Sequence, residues 1–482
     1  MERTLDFYKI LALTAILLII GLIFPNTILG LIITAIIGSL ALFRTKEAII
    51  LLVFYFPIRP FLIEINPSLK GVGDLIILLA LLKVFWMYRH NWKQLFKLNL
   101  FEWSFIAFCV IGAISSLLTG VQPVAIIFEL RALVITYLLF YVIRRLDINK
   151  SDIKKFLWTT FWTAIILCLH GIVEKLSLRT LLMPQEWTEM PLSETNRIRI
   201  YGLIFNPNVL AIYLMFAFMG TMYLKKMING RRMLWLVHSG LILMLGVFIL
   251  TYSRGSWIAV IFGMITYYLV TKNKRVMLKT ILMIAVSIVL VYIPVTTATH
   301  YIEQTDFGQN EGQRQSELRK RLGSTFNEDT LELSLNTGRL YYVKKGFQVF
   351  TDHPIIGTGF ATFGDAATKS YSSPIYDDYN IDWNFYSDNQ YIQVIAQTGT
   401  IGVVLFAMYL LGMLGYLWKN RKKSVLGPLM VTILISVYVC GVYYNIWENK
   451  VFTLYYFIFL GVFSNLIEIQ NEENKDEGLT LN

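Results

Sequence analysis

The stretch VTTATHYIEQTDFGQN at residues 295–310 opens, and IDWNFYS at residues 381–387 closes, the one long polar segment of this sequence. On both sides of it the chain consists of apolar runs joined by short charged links. A structureless connection of roughly 90 residues is improbable in a compact protein, so we expect the segment to fold as a small cap or lid. The sequence therefore predicts a membrane protein with its chemistry on one face.

Composition indicates an integral membrane protein. The 482 residues are 56% hydrophobic and 16% charged, and the mean hydropathy is +0.56, far from the average of soluble domains. The aromatic content of 15% suits Trp and Tyr belts at membrane interfaces. The net charge of +11 lies mostly in the short links and no basic domain motif is present, so we expect a topological role and no nucleic-acid partner.

The predicted fold class is all-α, a polytopic transmembrane helical bundle of about 12–14 helices with one large extracytoplasmic loop that contains short helices. The apolar runs that carry this prediction lie at residues 9–24, 27–43, 48–63, 73–88, 101–118, 125–143, 156–173, 202–224, 233–252, 255–270, 276–294, 389–418, 425–443 and 451–468.

The charged links predict the orientation. With a cytoplasmic N-terminus, the basic links all fall inside, as the positive-inside rule requires. Both termini are then cytoplasmic in a multi-pass protein of the cell membrane. The expected organisation is N-terminal transmembrane helices (1–200), helices carrying Arg motifs (201–294), the extracytoplasmic loop (295–388), C-terminal helices (389–468) and a cytoplasmic tail (469–482).

Two parts of the loop have recognisable patterns. Leu340, Val343, Phe347 and Phe350 recur at helical spacing, which predicts an amphipathic helix over residues 338–351 that rests on the membrane or on the bundle. Residues 371–386 mix aromatic and acidic side chains. Tyr379, Trp383 and Tyr386 are candidate sugar-binding residues, and an interfacial aromatic belt explains the same pattern.

Arg254 is the sharpest candidate for a functional residue. It stands in TYSRGSW, residues 251–257, between two apolar runs and on the predicted outer face. Arg residues at membrane depth tend to face a cavity and a partner, and a phosphate matches the guanidinium fork. The alternative is an Arg that reaches lipid headgroups from a helix end.

Further polar residues accompany it. Arg197 and Arg199 precede Asn206-Pro207-Asn208, where Pro207 is expected to break or kink the helix. Both Arg are candidate diphosphate ligands or simple headgroup contacts, and Arg339 in the loop is another candidate. Glu129 with Arg131, and Glu448 with Lys450, are candidate internal ion pairs.

Asp388 has two interpretations. Ser387 and Gln390 have the spacing of a helix capping box, which would place Asp388 in a first helical turn. Alternatively, its carboxylate is a general base at the mouth of the cationic site. No Walker loop, dinucleotide glycine pattern, zinc spacing or nucleophile elbow occurs, so no cofactor and no metal are expected.

The order of these motifs resembles the O-antigen ligase and polymerase-like membrane proteins of bacterial polysaccharide assembly. The resemblance covers roughly residues 197–402. It rests on Arg199 before Asn206-Pro207-Asn208, on Ser253-Arg254-Gly255, on Gly338-Arg339 leading to DHPIIGTG at 352–359, and on DNQY at 388–391 leading to TGTIG at 398–402.

This resemblance implies an inverting, metal-independent transfer of saccharide from an undecaprenyl diphosphate-linked donor to a glycan hydroxyl at the outer membrane face. Arg197 or Arg199, with Arg254, would hold the diphosphate. The residue before Asn389 would be the base; the family usually has His there, and this chain has Asp388. Partners would be the lipid-linked saccharide, the acceptor glycan, the bilayer and polysaccharide assembly proteins.

Composition favours a polymerase, of the teichuronic acid kind, over a ligase, because the sequence suits a Gram-positive source. Three rivals stay open. A lipid-linked oligosaccharide flippase would need repeat symmetry, which the sequence lacks. The other two are a peptidoglycan-type glycosyltransferase and a scaffold without catalysis.

Overall fold

The structure is a computed structural model that describes residues 2–305 and 338–480. For residues 2–6, 194–195 and 469–480 it describes the backbone alone. The described residues form helices and no strand, which confirms the predicted class. The longer helices are α1 (Glu2–Ile23), α2 (Thr27–Phe43), α3 (Thr45–Ile65), α4 (Val72–Met87), α5 (Leu100–Leu118), α6 (Pro123–Ile143), α7 (Lys150–Leu176), α8 (Pro207–Leu224), α9 (Arg231–Leu250), α10 (Arg254–Thr271), α11 (Lys274–Glu303), α12 (Arg339–Asp352), α13 (Ala366–Tyr371), α14 (Gln390–Asn420), α15 (Leu426–Cys440) and α16 (Lys450–Thr480).

Within the described ranges, nine helices are long and apolar enough to cross a membrane. Three further apolar helices are shorter, α15 and the apolar stretches of α1 and α2. Each apolar run predicted from the sequence coincides with a helix. The protein is therefore a multi-pass membrane protein.

Two spans differ from their predicted bounds. The helix expected over residues 202–224 begins only at Pro207, because Asn206 is its N-cap and accepts hydrogen bonds from the Asn208 and Val209 backbone. Pro207 occupies the first helical position, where its missing N–H is not needed. The predicted break at Asn206-Pro207-Asn208 is therefore present: a short 3-10 turn at Gly202–Ile204 ends before it, and α8 starts at Pro207. At the other site, α11 continues to Glu303, so the first residues of the predicted loop are helical.

The described residues divide into two compact units. The first contains α1–α4, α7–α9, the first turn of α10, and α11. In it, α2 packs on α3 and α4, and α7 packs on α3, α8 and α9. Lys46 and Asp152 form an ion pair of 3.1 Å between α3 and α7.

The second unit contains α5, α6, the rest of α10 and α12–α16. Its central element is α14, which packs on α5, α12 and α15. The helix is interrupted at Gly399, whose φ of 56° and ψ of −163° are not helical. Residues 354–359 lie against this break: the N–H groups of Thr400 and Ile401 donate to the Pro354 and Ile355 carbonyls at 2.8 and 3.0 Å.

Residues 354–359 make further hydrogen bonds, among them one to α14 and one to α5. Gly359 donates its N–H to the Gln397 carbonyl at 2.6 Å, and Ser115 on α5 donates its hydroxyl to the Gly357 carbonyl at 2.7 Å. Irregular backbone within a membrane-spanning helix is tolerated only where protein satisfies its polar groups. The motifs DHPIIGTG at 352–359 and TGTIG at 398–402 are thus packed together and joined by hydrogen bonds.

The predicted amphipathic helix is present as α12. Tyr342, Gly346 and Val349 are buried, whereas Leu340 and Phe347 are 42% and 50% exposed. Gly346 allows this close packing, since a Cβ there would lie 2.4 Å from Ile392. The apolar spacing of Leu340, Val343, Phe347 and Phe350 therefore marks the less buried face of the helix.

Replacing Gly399 by Ala is expected to destabilise the protein markedly. A Cβ at this position would lie 2.6 Å from the Gly357 nitrogen and the Ile355 carbonyl carbon, and the positive φ disfavours any side chain. Gly415→Ala on the same helix is the matched control, because a Cβ there meets nothing within 4 Å. Thermal unfolding in detergent should show a loss of several degrees only for Gly399→Ala; equal melting temperatures would contradict the close packing at the break.

Cysteine labelling tests the predicted orientation. The natural Cys109, Cys168 and Cys440 are buried, so background labelling will be low. With both termini inside, Ser370→Cys should react with a membrane-impermeant maleimide in intact cells, whereas Lys422→Cys should react only after permeabilisation; both positions are exposed. The reverse pattern would invert the predicted topology.

Candidate active site

Arg254 stands at the start of a helix in the first unit. α9 ends at Leu250, Tyr252 adopts a left-handed φ of 50°, and α10 begins at Arg254. The Ser253 and Ser256 hydroxyls lie 3.0 Å apart across this first turn. The Arg254 side chain is partly exposed. Because a helix N-terminus carries partial positive charge, this position combines a guanidinium with a favourable dipole for an anion.

Arg199 is buried, with 7% exposure, and donates to three protein oxygens. Its Nε donates to the Thr251 carbonyl at 2.8 Å, and its terminal nitrogens donate to the Asn196 and Asn208 side chains. Arg199 thus joins the start of α8 to the turn that leads into Arg254. Arg197, two residues earlier, is exposed. Of the two predicted ligands, the geometry gives Arg199 a supporting position and leaves Arg197 accessible.

The sequence analysis did not identify Glu174, which holds the backbone between Arg199 and α8. Glu174 near the end of α7 is 1% exposed and accepts hydrogen bonds from the Tyr201 and Gly202 N–H groups at 3.0 and 2.6 Å. Arg179 forms an ion pair with it at 2.8 Å and lies over the Tyr201 ring. The only sequence signal was a carboxylate near a helix end, five residues before an Arg.

In the second unit the structure brings together two predicted site residues. The Arg339 guanidinium at the start of α12 lies 3.4 Å from the Asp388 carboxylate, and both side chains are nearly half exposed, at 45% and 47%. Asp388 has a left-handed φ of 46°. An exposed ion pair of this kind contributes little to stability. A need for stability therefore does not explain why these two residues lie together.

The predicted capping box at Asp388 is wrong. α14 begins at Gln390 and its N-cap is Asn389, which accepts from the Tyr391 and Ile392 N–H groups at 3.1 Å. Asp388 therefore precedes the cap and does not lie in the first helical turn. Ser387 instead donates its hydroxyl to Asn445 at 2.9 Å.

The three predicted sugar-binding aromatics have different surroundings. Tyr379 is a core residue, 9% exposed, whose hydroxyl donates to Asp352 at 3.0 Å; burial, and then the Asp352 hydrogen bond, raise its pKa to about 12. Trp383 and Tyr386 are 38% and 41% exposed. Trp383 stacks on Tyr341 with ring centroids 5.9 Å apart and donates to the Tyr342 hydroxyl at 2.8 Å. Trp383 and Tyr386 thus have accessible ring faces. The partly exposed Tyr341, which stacks on Trp383, was not among the predicted residues.

Glu129, Asp365 and Glu448 form a buried acidic cluster in the same unit. Glu448 accepts from the Ala366 N–H at 3.0 Å and from the Gln393 amide, and Glu129 accepts from the Ala367 N–H at 3.3 Å. The expected ion pairs with Arg131 and Lys450 are therefore replaced by bonds to the start of α13. Neither pairing was visible in the sequence, because the partners are distant along the chain.

Burial raises the pKa of the two carboxyls of this cluster that lie outside the spanning helices, Glu448 and Asp365. Burial, with the Asp365 charge as the next cause, raises the pKa of Glu448 to about 8, and burial raises the pKa of Asp365. Oε1 of Glu129 receives no hydrogen bond from an N–H or O–H of the described residues, and its carboxyl adjoins that of Glu448. Burial, and then the charges of Glu448 and Glu129, raise the pKa of the nearby Tyr386.

The fold and these side chains define a multi-pass helical membrane protein with a folded polar segment that presents an Arg, a carboxylate and aromatic rings. Residues 239–407 match the family model described as O-antigen ligase. This match supports the resemblance of the chain to the O-antigen ligase and polymerase-like membrane proteins. A search of curated proteins found no match.

The matched range includes Arg254, Arg339 and Asp388, whereas Arg197 and Arg199 precede it. The family match therefore covers the first three residues and does not reach the other two.

Glu448→Gln is expected to change how stability depends on pH. Burial raises the pKa of Glu448 in the folded protein, whereas an unfolded glutamate loses its proton at about pH 4.3, so stability is expected to fall as pH rises above that value. Gln resembles the protonated acid and removes this fall. Melting temperatures between pH 5 and 8.5 should decline less for Glu448→Gln than for the natural protein, while the exposed-site control Asp378→Asn should not differ from it. Parallel declines for all three proteins would contradict the raised pKa of Glu448.

Proposed function

We propose that the protein is a membrane glycosyltransferase that transfers saccharide from an undecaprenyl diphosphate-linked donor to a sugar hydroxyl at the outer face of the cytoplasmic membrane. The family match supports the coarser function, a surface polysaccharide ligase or polymerase. The observation that carries the finer proposal is Arg254 as the first residue of α10 within the matched range. There the guanidinium and the helix dipole act on one anion.

The donor diphosphate is the proposed anion. Arg254 binds it in our proposal, and the accessible Arg197 of the same unit is an additional cationic ligand. Arg199 contributes by holding the turn at Thr251, since its guanidinium donates to three protein oxygens. Two or more cations suit a diphosphate because each guanidinium can donate to two oxygens.

Asp388 is the proposed general base. Its half-exposed carboxylate, its position outside the first helical turn and its Arg339 neighbour support this role over a capping role. An ionised carboxylate can accept the proton of an acceptor hydroxyl at hydrogen-bond distance.

The reaction we propose is a single inverting displacement. The acceptor hydroxyl oxygen attacks the anomeric carbon of the donor sugar, and its proton passes to Asp388. The bond between the anomeric carbon and the diphosphate oxygen breaks, and the electron pair leaves with undecaprenyl diphosphate. The Arg side chains stabilise the charge that develops on this leaving group, which is the main electrostatic requirement of the step. The step as written needs no metal.

The exposed aromatic rings are proposed to bind the sugar. Trp383 and Tyr386 offer partly exposed faces, and Tyr341 extends the surface through its stack with Trp383. Apolar sugar faces pack on such rings while hydroxyls donate to nearby acids. For the acceptor we propose a growing lipid-linked chain, hence a polymerase of an anionic wall glycan, working beside other assembly proteins.

Arg254→Ala tests the donor site. Loss of a charge-assisted contact to the leaving group should reduce polymer by a factor of about 100 or more, while lipid-linked units accumulate outside. The matched control is Arg275→Ala, an exposed Arg in the first turn of α11 on the predicted inner side. Polymer and lipid-linked units are measured in membranes with protein level checked.

Three outcomes are informative. Accumulation outside supports the transferase, accumulation inside would instead indicate a flippase, and unchanged polymer for Arg254→Ala would contradict the proposed diphosphate site.

A further inference from the structure

Asp388 has a backbone conformation that needs support. Its φ of 46° lies in the left-handed region, which residues other than Gly adopt only occasionally. Asn389 also departs from helix geometry, with φ of −156°, before α14 begins. Neighbouring structure must therefore hold Ser387 and Asn389 on both sides of Asp388 if the carboxylate is to keep one position.

Asn445 supplies this support. Its Oδ1 accepts from the Ser387 hydroxyl at 2.9 Å and from the Asn389 N–H at 3.2 Å. Its Nδ2 donates to the Gly364 carbonyl at 2.8 Å. Gly364 in turn accepts from the Ser387 N–H at 3.0 Å. One side chain, 9% exposed, thus binds the residues immediately before and after Asp388.

The turn that carries Asn445 is itself fixed to the start of α14. The Gln390 N–H donates to the Gly441 carbonyl at 2.8 Å, and the Trp447 N–H donates to the Gln390 side chain at 2.9 Å. Glu448, at the end of the same turn, accepts from the Ala366 N–H. Because the turn is bonded on both sides of Asn445, the amide has little freedom to follow a moving Asp388.

We propose that Asn445 is a positioning residue for glycosyl transfer: it holds Asp388 beside Arg339 in the orientation that accepts the proton of the acceptor hydroxyl. This inference rests on the proposed function, in which Asp388 is the base. Asn445 does not touch the substrate; it acts through the backbone around Asp388.

The chemistry of the amide explains why this residue type is needed. The amide offers an acceptor to Ser387 and Asn389 and, on a separate atom, a donor to Gly364. An Asp in its place keeps the acceptor, loses the donor, and adds charge near the Glu448, Asp365 and Glu129 cluster. A displacement of about 1 Å in a reacting group can lower the rate about 100-fold.

The experiment compares Asn445→Asp with Asn449→Asp, the same substitution four residues later. Asn449 caps α16 through its Oδ1, which accepts from the Val451 and Phe452 N–H groups, and Asp caps a helix equally well. Asn445→Ala and the milder Ser387→Ala complete the set. Each protein is purified, its melting temperature is measured, and transfer is assayed in proteoliposomes with undecaprenyl diphosphate-linked saccharides extracted from the producing cells.

We expect kcat to fall about 10- to 100-fold for the Asn445 variants and less for Ser387→Ala, with KM for the lipid-linked donor within about twofold. Asn449→Asp should behave as the natural protein. If an Asn445 variant folds poorly, Ser387→Ala still reports the kcat effect. An unchanged kcat for folded Asn445→Asp, or a rise in KM without a fall in kcat, would overturn the proposal.

Asp388→Asn separates this proposal from the proposed function. If Asp388→Asn abolishes transfer while the Asn445 variants keep their kcat, the positioning role alone fails. If Asp388→Asn leaves transfer unchanged, the base assignment fails and the positioning role fails with it.

Discussion

The backbone pairing between residues 354–359 and the break in α14 is the interaction on which the second unit depends. Inside hydrocarbon an unpaired N–H or carbonyl costs several kcal/mol, on the order of a lost hydrogen bond without compensation by water. Gly399 opens α14, and Pro354, Ile355 and Gly359 satisfy the groups that the opening leaves unpaired. Residues 354–359 of the polar segment are therefore fixed to the helix by main-chain bonds.

A second set of hydrogen bonds fixes residues later in that segment. Asn445, Gln390 and Glu448 join residues 364–366 and 387–390 to the turn between α15 and α16. Asp388 lies between the Asn445 bonds and the exposed Arg339. In the first unit a comparable arrangement holds Arg254, where Arg199 fixes the preceding turn and Glu174 fixes the segment before α8. In both units a buried polar network supports a partly exposed charge, which is the usual requirement for a preorganised site.

The sequence predicted the parts that depend on local pattern. Apolar length predicted the nine helices of the described ranges that are long and apolar enough to cross a membrane, and spacing predicted α12. One error arose where two cap signals lie close together in the sequence: Asn389 caps α14 in place of Ser387. Residue type makes Tyr379 a candidate sugar-binding residue in the sequence, yet its ring is buried in the structure. Glu174, Asn445 and the Glu129–Glu448 pair depend on long-range contacts that no local pattern encodes.

Transfer by the purified protein tests the central claim most directly. The protein is placed in proteoliposomes with undecaprenyl diphosphate-linked saccharides and no nucleotide or divalent metal, and both glycan length and free undecaprenyl diphosphate are measured. Our account predicts longer glycan and an equimolar release of the lipid diphosphate, with inversion at the new linkage. Intact donor at all times with a folded protein would contradict it, as would transfer that proceeds only when nucleotide sugar is added.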